Sequence, residues 1–442
     1  MGSRSKIGLI VAGCAALFFG ALILLLRSPL DANLYRSNLV SYIELKTGKH
    51  VEIGHLTLTF FPLSIHIENF GMKNLPPFPP GYIVKVARMD ARLDARALLH
   101  RQLLIKFLAL DHPSVNLISD PDGPWNFSSP HPGPGAPSFV LGEIAKVEIQ
   151  RGQLVASNLL PSNAPGPVFL EAHEVSGKFE RVNVTAMIDS SSRSMGGQGL
   201  VTADRLSFGT VDATKVSFKL EFWAQQVFLA EMKARVSGGN ATGAIFFDLT
   251  GKRPTFRSNA RFAGIDVAHL LEPFENGRGK MTGNMEGDLT LAGEIQHSPR
   301  PLAGIRGNGH VILHTGEVPN LQLNSNLVKL VRFNNRGPAK EKPSSFNLIS
   351  TDFELANLRI LSKTIDIDGY GVDVDGSGSF NADGSNELNY EGVAKITTQQ
   401  GFFTNTFARF AGAKLKEGLL SFPFHVGGTI DAPVFTKPGA HP

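Results

Sequence analysis

The chain has 442 residues and a formal charge of only +4, room for one large domain or for two or three ordinary ones. No Lys/Arg block stands out, which excludes the electrostatic footprint of a nucleic-acid binder. Phe is abundant (31) while Tyr (5) and Trp (2) are scarce, so apolar surface is made without polar tips; composition alone does not separate a greasy working surface from a large core.

In chain order, the first predicted element is IGLIVAGCAALFFGALILLL, Ile7–Leu26, twenty residues without a charge. At 1.5 Å per residue it reaches about 30 Å, the hydrocarbon thickness of a bilayer. Arg4 and Lys6 precede it, and a basic excess on the short side places that side in the cytoplasm. The expectation is a cytoplasmic tail over 1–6, a transmembrane anchor over 7–26 and a body across the membrane. Two processing alternatives are weaker. A signal peptide has a shorter apolar core and small residues at its cleavage site, whereas Leu26 is followed by RSPLDANLY. VAGC, Val11–Cys14, resembles a lipoprotein box, but only Ile7–Ile10 precede it and apolar residues continue beyond it. Cys14 is the only cysteine, so the body has no disulfide and no thiolate metal ligand.

Leu34–Leu45 reads as a short helix, with Leu34, Asn38, Tyr42 and Leu45 on one stripe. The period then changes to two. In LTLTFFPLSIHI, Leu56, Leu58 and Phe60 alternate with threonines, the chain turns near Phe61-Pro62, and Ile65 and Ile67 resume the alternation, a half-buried hairpin. A helical turn at DARALLHRQ leads to LLIKFLALDHPSVNLISDPDGPWNF, read as two strands and a glycine turn. SSPHPGPGAPS, Ser128–Ser138, is a Pro/Gly linker. Strands resume at IAKVEIQRGQLVASN. In KVSFKLEFW, Val216, Phe218, Leu220 and Phe222 face one way and Ser217, Lys219 and Glu221 the other. Short strands with glycine turns continue to the end, broken by helical patterns at Val267–Phe274, Leu321–Phe333 and Gln399–Phe410. The predicted regions are 30–127, the linker 128–138, a central β-region 139–265 and a C-terminal β-region 266–440. So many sequential strands must curl, close or coil, because strands twist.

The stretch IDIDGYGVDVDGSGSFNADG, Ile365–Gly384, mimics the start of a calcium loop. A loop of that type needs a bidentate Glu at its twelfth position, and counting from Asp373 that position is Gly384. A meander accounts for the pattern instead. Asp368-Gly369 as a two-residue turn sets Ile367 against Tyr370 and Ile365 against Val372. A connection through Asp383-Gly384-Ser385 sets Phe380 against Leu388, Gly378 against Tyr390, Val374 against Ala394 and Val372 against Ile396. Asp373 then falls opposite Lys395, a cross-strand ion pair. The aspartates face water and the apolar residues share one face.

No catalytic motif is present: there is no G-x-S-x-G, H-E-x-x-H, P-loop or G-x-G-x-x-G. His310 and His314 in HVILH would share a strand face about 13 Å apart, too far to share a metal. Asp366 and Asp373 read as an outer strand face rather than a glycosidase dyad. The expectation is no enzyme, no metal and no cofactor. Phe403, Phe407 and Phe410 form one stripe of a helix that could dock on a membrane or pack on the sheet; Leu323, Leu327, Leu330 and Val331 form another, and packing is the favoured reading of both.

Taken together, the anchor followed by TGKHVEIGHLTLTFFPLSIHIENFGMKN, the DG-x-x-N pattern of Asp122, Gly123, Trp125 and Asn126, the strand and G-x-L turn in IAKVEIQRGQLVASN, and late segments such as IRGNGHVILHTGEVPNLQLNSNLVKL and FPFHVGGTIDAPVF resemble the AsmA family of bacterial envelope proteins. The resemblance implies a mostly β fold: a transmembrane helix, then an elongated, coiled antiparallel sheet forming a taco-like apolar groove, with a few short helices. It also implies an inner-membrane protein with a periplasmic body, acting in envelope biogenesis by binding or conducting phospholipid towards the outer membrane. The partners implied are membrane phospholipid, the inner membrane and outer-membrane assembly components. The alternative is a scaffold for outer-membrane proteins that uses strand edges. The expected groove lining is Val216, Phe218, Leu220, Phe222, Ile365, Ile367, Val372, Val374, Phe380 and Leu388.

Overall fold

The computed structural model describes residues 30–99, 102–120, 125–127, 140–183, 196–223, 226–250, 254–273, 279–294, 304–319, 321–323, 326–327, 330, 344–397, 414–416 and 419–438. The apolar run 7–26, the linker 128–138 and the segment with Phe403, Phe407 and Phe410 lie outside them. Among the described residues no helix is long and apolar enough to cross a membrane. The protein is mostly β, with few helices, and the twenty-one strands among the described residues belong to one sheet. Contacts divide the chain into two compact units: Met1–Gly209 with Ser217–Gln225, and Thr210–Val216 with Gln226–Pro442.

The first unit holds β1 (Leu30–Asp31), β2 (Val51–Phe60), β3 (Leu63–Lys73), β4 (Tyr82–Leu93), β5 (Gln102–Ser119), β6 (Val140–Leu159), β7 (Pro165–Asn183), β8 (Gly197–Phe208) and the second half of β9 (Val211–Phe222). Consecutive strands from β1 to β5 pair antiparallel. β5 and β6 pair parallel, as the long connection between them allows. The β2–β3 register matches the alternation, with Leu58 opposite Ile65 and Leu56 opposite Ile67.

Three sequence expectations for this unit are corrected. The helix spans Arg36–Thr47 and ends at Gly48 in the left-handed region, φ 64°. Its buried side is Leu39, Val40 and Ile43, packed against Val51, Ile53, Leu56, Ile67, Phe70 and Val86. Leu34 and Leu45 of the expected stripe are 87% and 52% exposed. The rotation is set by tethers outside the periodic pattern: Asn33 Oδ1 accepts from Leu56 N at 3.1 Å and Arg36 donates to the Gly54 carbonyl at 2.9 Å. The two strands expected before the linker are one, β5; His112 takes the left-handed region at φ 49°, and the pairing with β4 keeps its register across His112-Pro113. Arg151-Gly152 bulges β6, with Arg151 at φ 54°, rather than turning it. A bulge absorbs one residue and bends the strand without ending it. Glu174 of β7 lies at the matching shift of the β6–β7 register, at φ 50°.

The second unit continues with β10 (Gln226–Val236), β11 (Gly239–Asp248), β12 (Thr255–Asp266), β13 (Asn284–Glu294), β14 (Ile305–Val318), β15 (Ser344–Ala356), β16 (Arg359–Gly369), β17 (Val372–Asn381), β18 (Leu388–Thr397), β19 (Lys414–Lys416), β20 (Leu419–Gly428) and β21 (Pro433–Thr436). Pairing is antiparallel throughout, consecutive from β10 to β18, then β18 with β20 and β20 with β21. A short helix, Val267–Leu271, is capped by Asp266, whose side chain accepts from His269 N.

The meander is present with one turn moved. Every pair expected across β17 and β18 is found: Phe380–Leu388, Gly378–Tyr390, Val374–Ala394, Val372–Ile396 and Asp373–Lys395. The earlier turn is Tyr370-Gly371, not Asp368-Gly369. Gly369 pairs with Val372, Ile367 with Val374 and Ile365 with Gly376. Only Gly371 takes a positive φ in that turn, 85°, the pattern in which glycine is needed at the second turn position alone. The turn moves by two residues, so both faces are preserved. Lys395 stands opposite Asp373, yet its ammonium binds the diagonal neighbour, Asp375, at 2.5 Å.

Candidate functional site

Registers in the second unit stack side chains of successive strands into rows on a common face. One row runs Leu229, Ile245, Ser258, Leu291, Gly307, Leu355, Ile360, Phe380, Leu388. The next runs Met232, Gly243, Ala260, Leu289, Gly309, Phe353, Ser362, Gly378, Tyr390, Val426. Nothing in either row carries a formal charge. Leu289, Leu291, Phe353, Leu355, Ile360 and Phe380 are half-buried, so each keeps surface accessible.

Glycines shape this face. A Cβ on Gly309 would lie 3.0 Å from the Phe353 ring, and one on Gly378 would lie 2.4 Å from Tyr390 Cδ1. Each ring therefore lies over its neighbour's backbone, an aromatic covering a glycine. Tyr390 reaches across Gly378 to Ser362, whose Oγ is 3.4 Å from its hydroxyl. Burial pushes the Tyr390 phenol up, with the Ser362 contact opposing. The outcome is an apolar face with low relief.

Further along the same strands the face is covered. The row Ile265, Met285, Leu313, Ile349, Ile367, Val374, Ala394, Phe422 enters two core clusters. One joins Leu313 and Phe346 to Val267, with Leu271 against it. The other joins Val372, Val374, Ala394, Leu420, Phe422 and Phe424 to Leu323 and Leu327. Leu323, Leu327 and Leu330 thus pack on the sheet as their stripe predicts; Val331 lies outside the described residues. Leu327 and Ala394 are both fully buried.

The opposite face is polar. Arg261, Asp288, Asn308, Asp352, Glu354, Asp366 and Asp373 are exposed on it. His310 meets Asp352 at 2.8 Å and His314 meets Glu286 at 2.9 Å, so each histidine has its own carboxylate. The His310 hydrogen bond, with Thr364, holds the Asp352 carboxyl below its usual range. Hydrogen bonding to Asp375, added to the surrounding negative charge, pushes the Lys395 ammonium up.

The expected lining residues separate into three places. Phe380 and Leu388 stand in the first half-exposed row, and Ile365 lies one row beyond the second. Ile367, Val372 and Val374 belong to the covered end. Phe218, Leu220 and Phe222 pack in the first unit against Ile144, Val147, Phe179, Val182 and Val201, while Val216 is 3% exposed. The sequence reading missed Leu289, Leu291 and Phe353. Their signal was available: DLTLAG alternates, and IRGNGHV places Gly307 and Gly309 opposite them.

The DG-x-x-N pattern has a structural basis at Asn126, which is fully buried. Its Oδ1 accepts from Ile118 N at 3.0 Å, and its Nδ2 donates to Asn74 Oδ1 at 2.9 Å and to the Asn116 carbonyl at 2.8 Å. Its own carbonyl accepts from Lys49 Nζ at 2.9 Å. Burial lowers the Lys49 pKa. One residue thereby ties the end of β5 to the β3–β4 connection through its side chain and to the residue after Gly48 through its carbonyl. Asp122 and Gly123 lie outside the described residues. The AsmA family model matches residues 1–130. This part of the chain is similar to the AsmA family. The AsmA portion thus includes the apolar run, the helix on β2–β4 and the Asn126 hub. No curated protein matches this chain.

Proposed function

We propose that the protein works in biogenesis of the bacterial envelope, held in the inner membrane by residues 7–26 with its body in the periplasm, and that its half-exposed apolar sheet face binds the acyl chains of phospholipid. The AsmA match of residues 1–130 and the open β-sheet support the envelope assignment. The observation that carries lipid binding is the pair of uncharged rows through Leu291 and Phe353, backed by a charged opposite face. Acyl chains leave water along the rows while headgroups stay outside, at about 0.8 kcal/mol for each buried CH2. Many equivalent apolar positions give no deep trap, so the mechanism is passive and needs no singular residue. Inward coiling of the sheet into a groove would extend this contact along its length.

The test is photo-crosslinking to lipid with a probe at one position at a time in the full chain. Positions 289, 291 and 353 should label with phospholipid, and positions 288, 308 and 352 should not. Equal labelling of both sets, or recovery of outer-membrane proteins in place of lipid, would favour the scaffold reading.

A further inference from the structure

We infer that one end of the first unit, formed by the β2–β3 turn and the β4–β5 connection, rests on the lipid surface of the membrane. The inference rests on the reading of residues 7–26 as an anchor. Leu26 closes the uncharged run and Leu30 opens β1. Residues 27–29 span at most about 10 Å, so the start of β1 lies close to the bilayer.

The register says which end of the sheet this is. Leu30 pairs with Leu58 and Asp31 with Thr57, antiparallel. β2 therefore runs past Leu58 towards the side from which the chain arrives, and its turn projects about 7–10 Å further that way. Phe60 and Phe61 stand on that turn, 40% and 60% exposed. Two exposed phenylalanines at the tip nearest the membrane have an apolar partner to hand at the headgroup–acyl boundary.

The charges beside them agree. Ser64 pairs with Arg92, which brings the end of β4 and the helix Ala95–Leu99 to the same end of the strands. Arg92 and Arg96 are exposed there. The Arg92 guanidinium lies 5.2 Å from the centre of the Phe107 ring, and Lys106 pairs with Asp94 at 3.1 Å. Three cations against one carboxylate suit the phosphates of an anionic lipid surface.

The experiment uses the full chain with Cys14→Ala and one new cysteine, Phe61→Cys, carrying an environment-sensitive fluorophore. It is reconstituted into phosphatidylethanolamine–phosphatidylglycerol vesicles, with or without bromine on the acyl chains near the headgroup. Flotation reports the anchor, and quenching reports the tip. Position 61 should lose at least half its emission to brominated lipid, while a label at Lys85→Cys, exposed towards the far end of β4 in the same unit, should keep its own. A chain that floats with position 61 unquenched, or with 61 and 85 quenched alike, overturns the inference and leaves the anchor standing. A chain that does not float removes both.

Discussion

Two parts of one sheet face differ in what lies over them. At Val372, Val374, Ala394 and Phe422 the apolar row is closed by Leu323 and Leu327. At Leu289, Leu291, Phe353 and Ile360, on the same face, side chains stay half-buried. Composition does not separate the two: both are Val, Leu, Ile, Phe and Gly in alternation. The difference lies in which row meets a second layer. A sheet face becomes core only where another element covers it, and an uncovered row remains available to a ligand.

The sharpest way to break this comparison is to truncate one leucine in each part. Leu327→Ala opens a cavity in a closed cluster and should cost about 2–5 kcal/mol. Leu289→Ala removes a side chain already partly in water and should cost about 1 kcal/mol. Urea unfolding of both variants against the parent measures the gap; equal losses would mean that the Leu289 row is covered as well.

An intermediate effect is expected from the low relief of the face. At Gly378→Val the new Cβ meets the Asn389 carbonyl oxygen at 2.4 Å as well as the Tyr390 ring, so the strand or the ring must shift, at about 1–3 kcal/mol. The near-ultraviolet signal of Tyr390 should change with it. An unchanged melting point would remove glycine packing as the device that flattens the surface.

The smallest effects belong to the polar face. Asp368 stands opposite Asp373 and Asp366 opposite Asp375, like charges that repel. Asp373→Asn should stabilise slightly, by under about 0.5 kcal/mol at low salt. Lys395→Met should destabilise, because Lys395 binds Asp375. The sign follows from the raised ammonium pKa: the contribution is complete below the unfolded value of 10.5 and is lost as pH rises through the higher folded one. The gap between parent and Lys395→Met should therefore close in strong alkali. A gap that persists there would assign the loss to packing of the lysine stem.

The β17–β18 register was legible residue by residue because alternation, a three-residue connection and one aromatic over glycine agreed. The Asp368-Gly369 turn was misplaced because a preferred dipeptide competes with its neighbours, and here Tyr370-Gly371 lets Gly369 stay in the ladder. The helix face over β2–β4 was misread because Asn33 and Arg36 fix its rotation through bonds to residues some twenty positions away. Leu289, Leu291 and Phe353 were missed as candidates because their alternation is the same as that of core strands.

By itself the sequence determined the uncharged twenty-residue run, the β class, the AsmA motifs and which residues of most strands share a face, since side-chain period and turn chemistry are local. Only the tertiary structure decided which apolar rows are closed, that β5 runs on through His112, that Arg151 bulges β6 rather than ending it, and that Asn126 ties three segments together. Those outcomes depend on partners far along the chain, and a local pattern holds no record of what will pack against it.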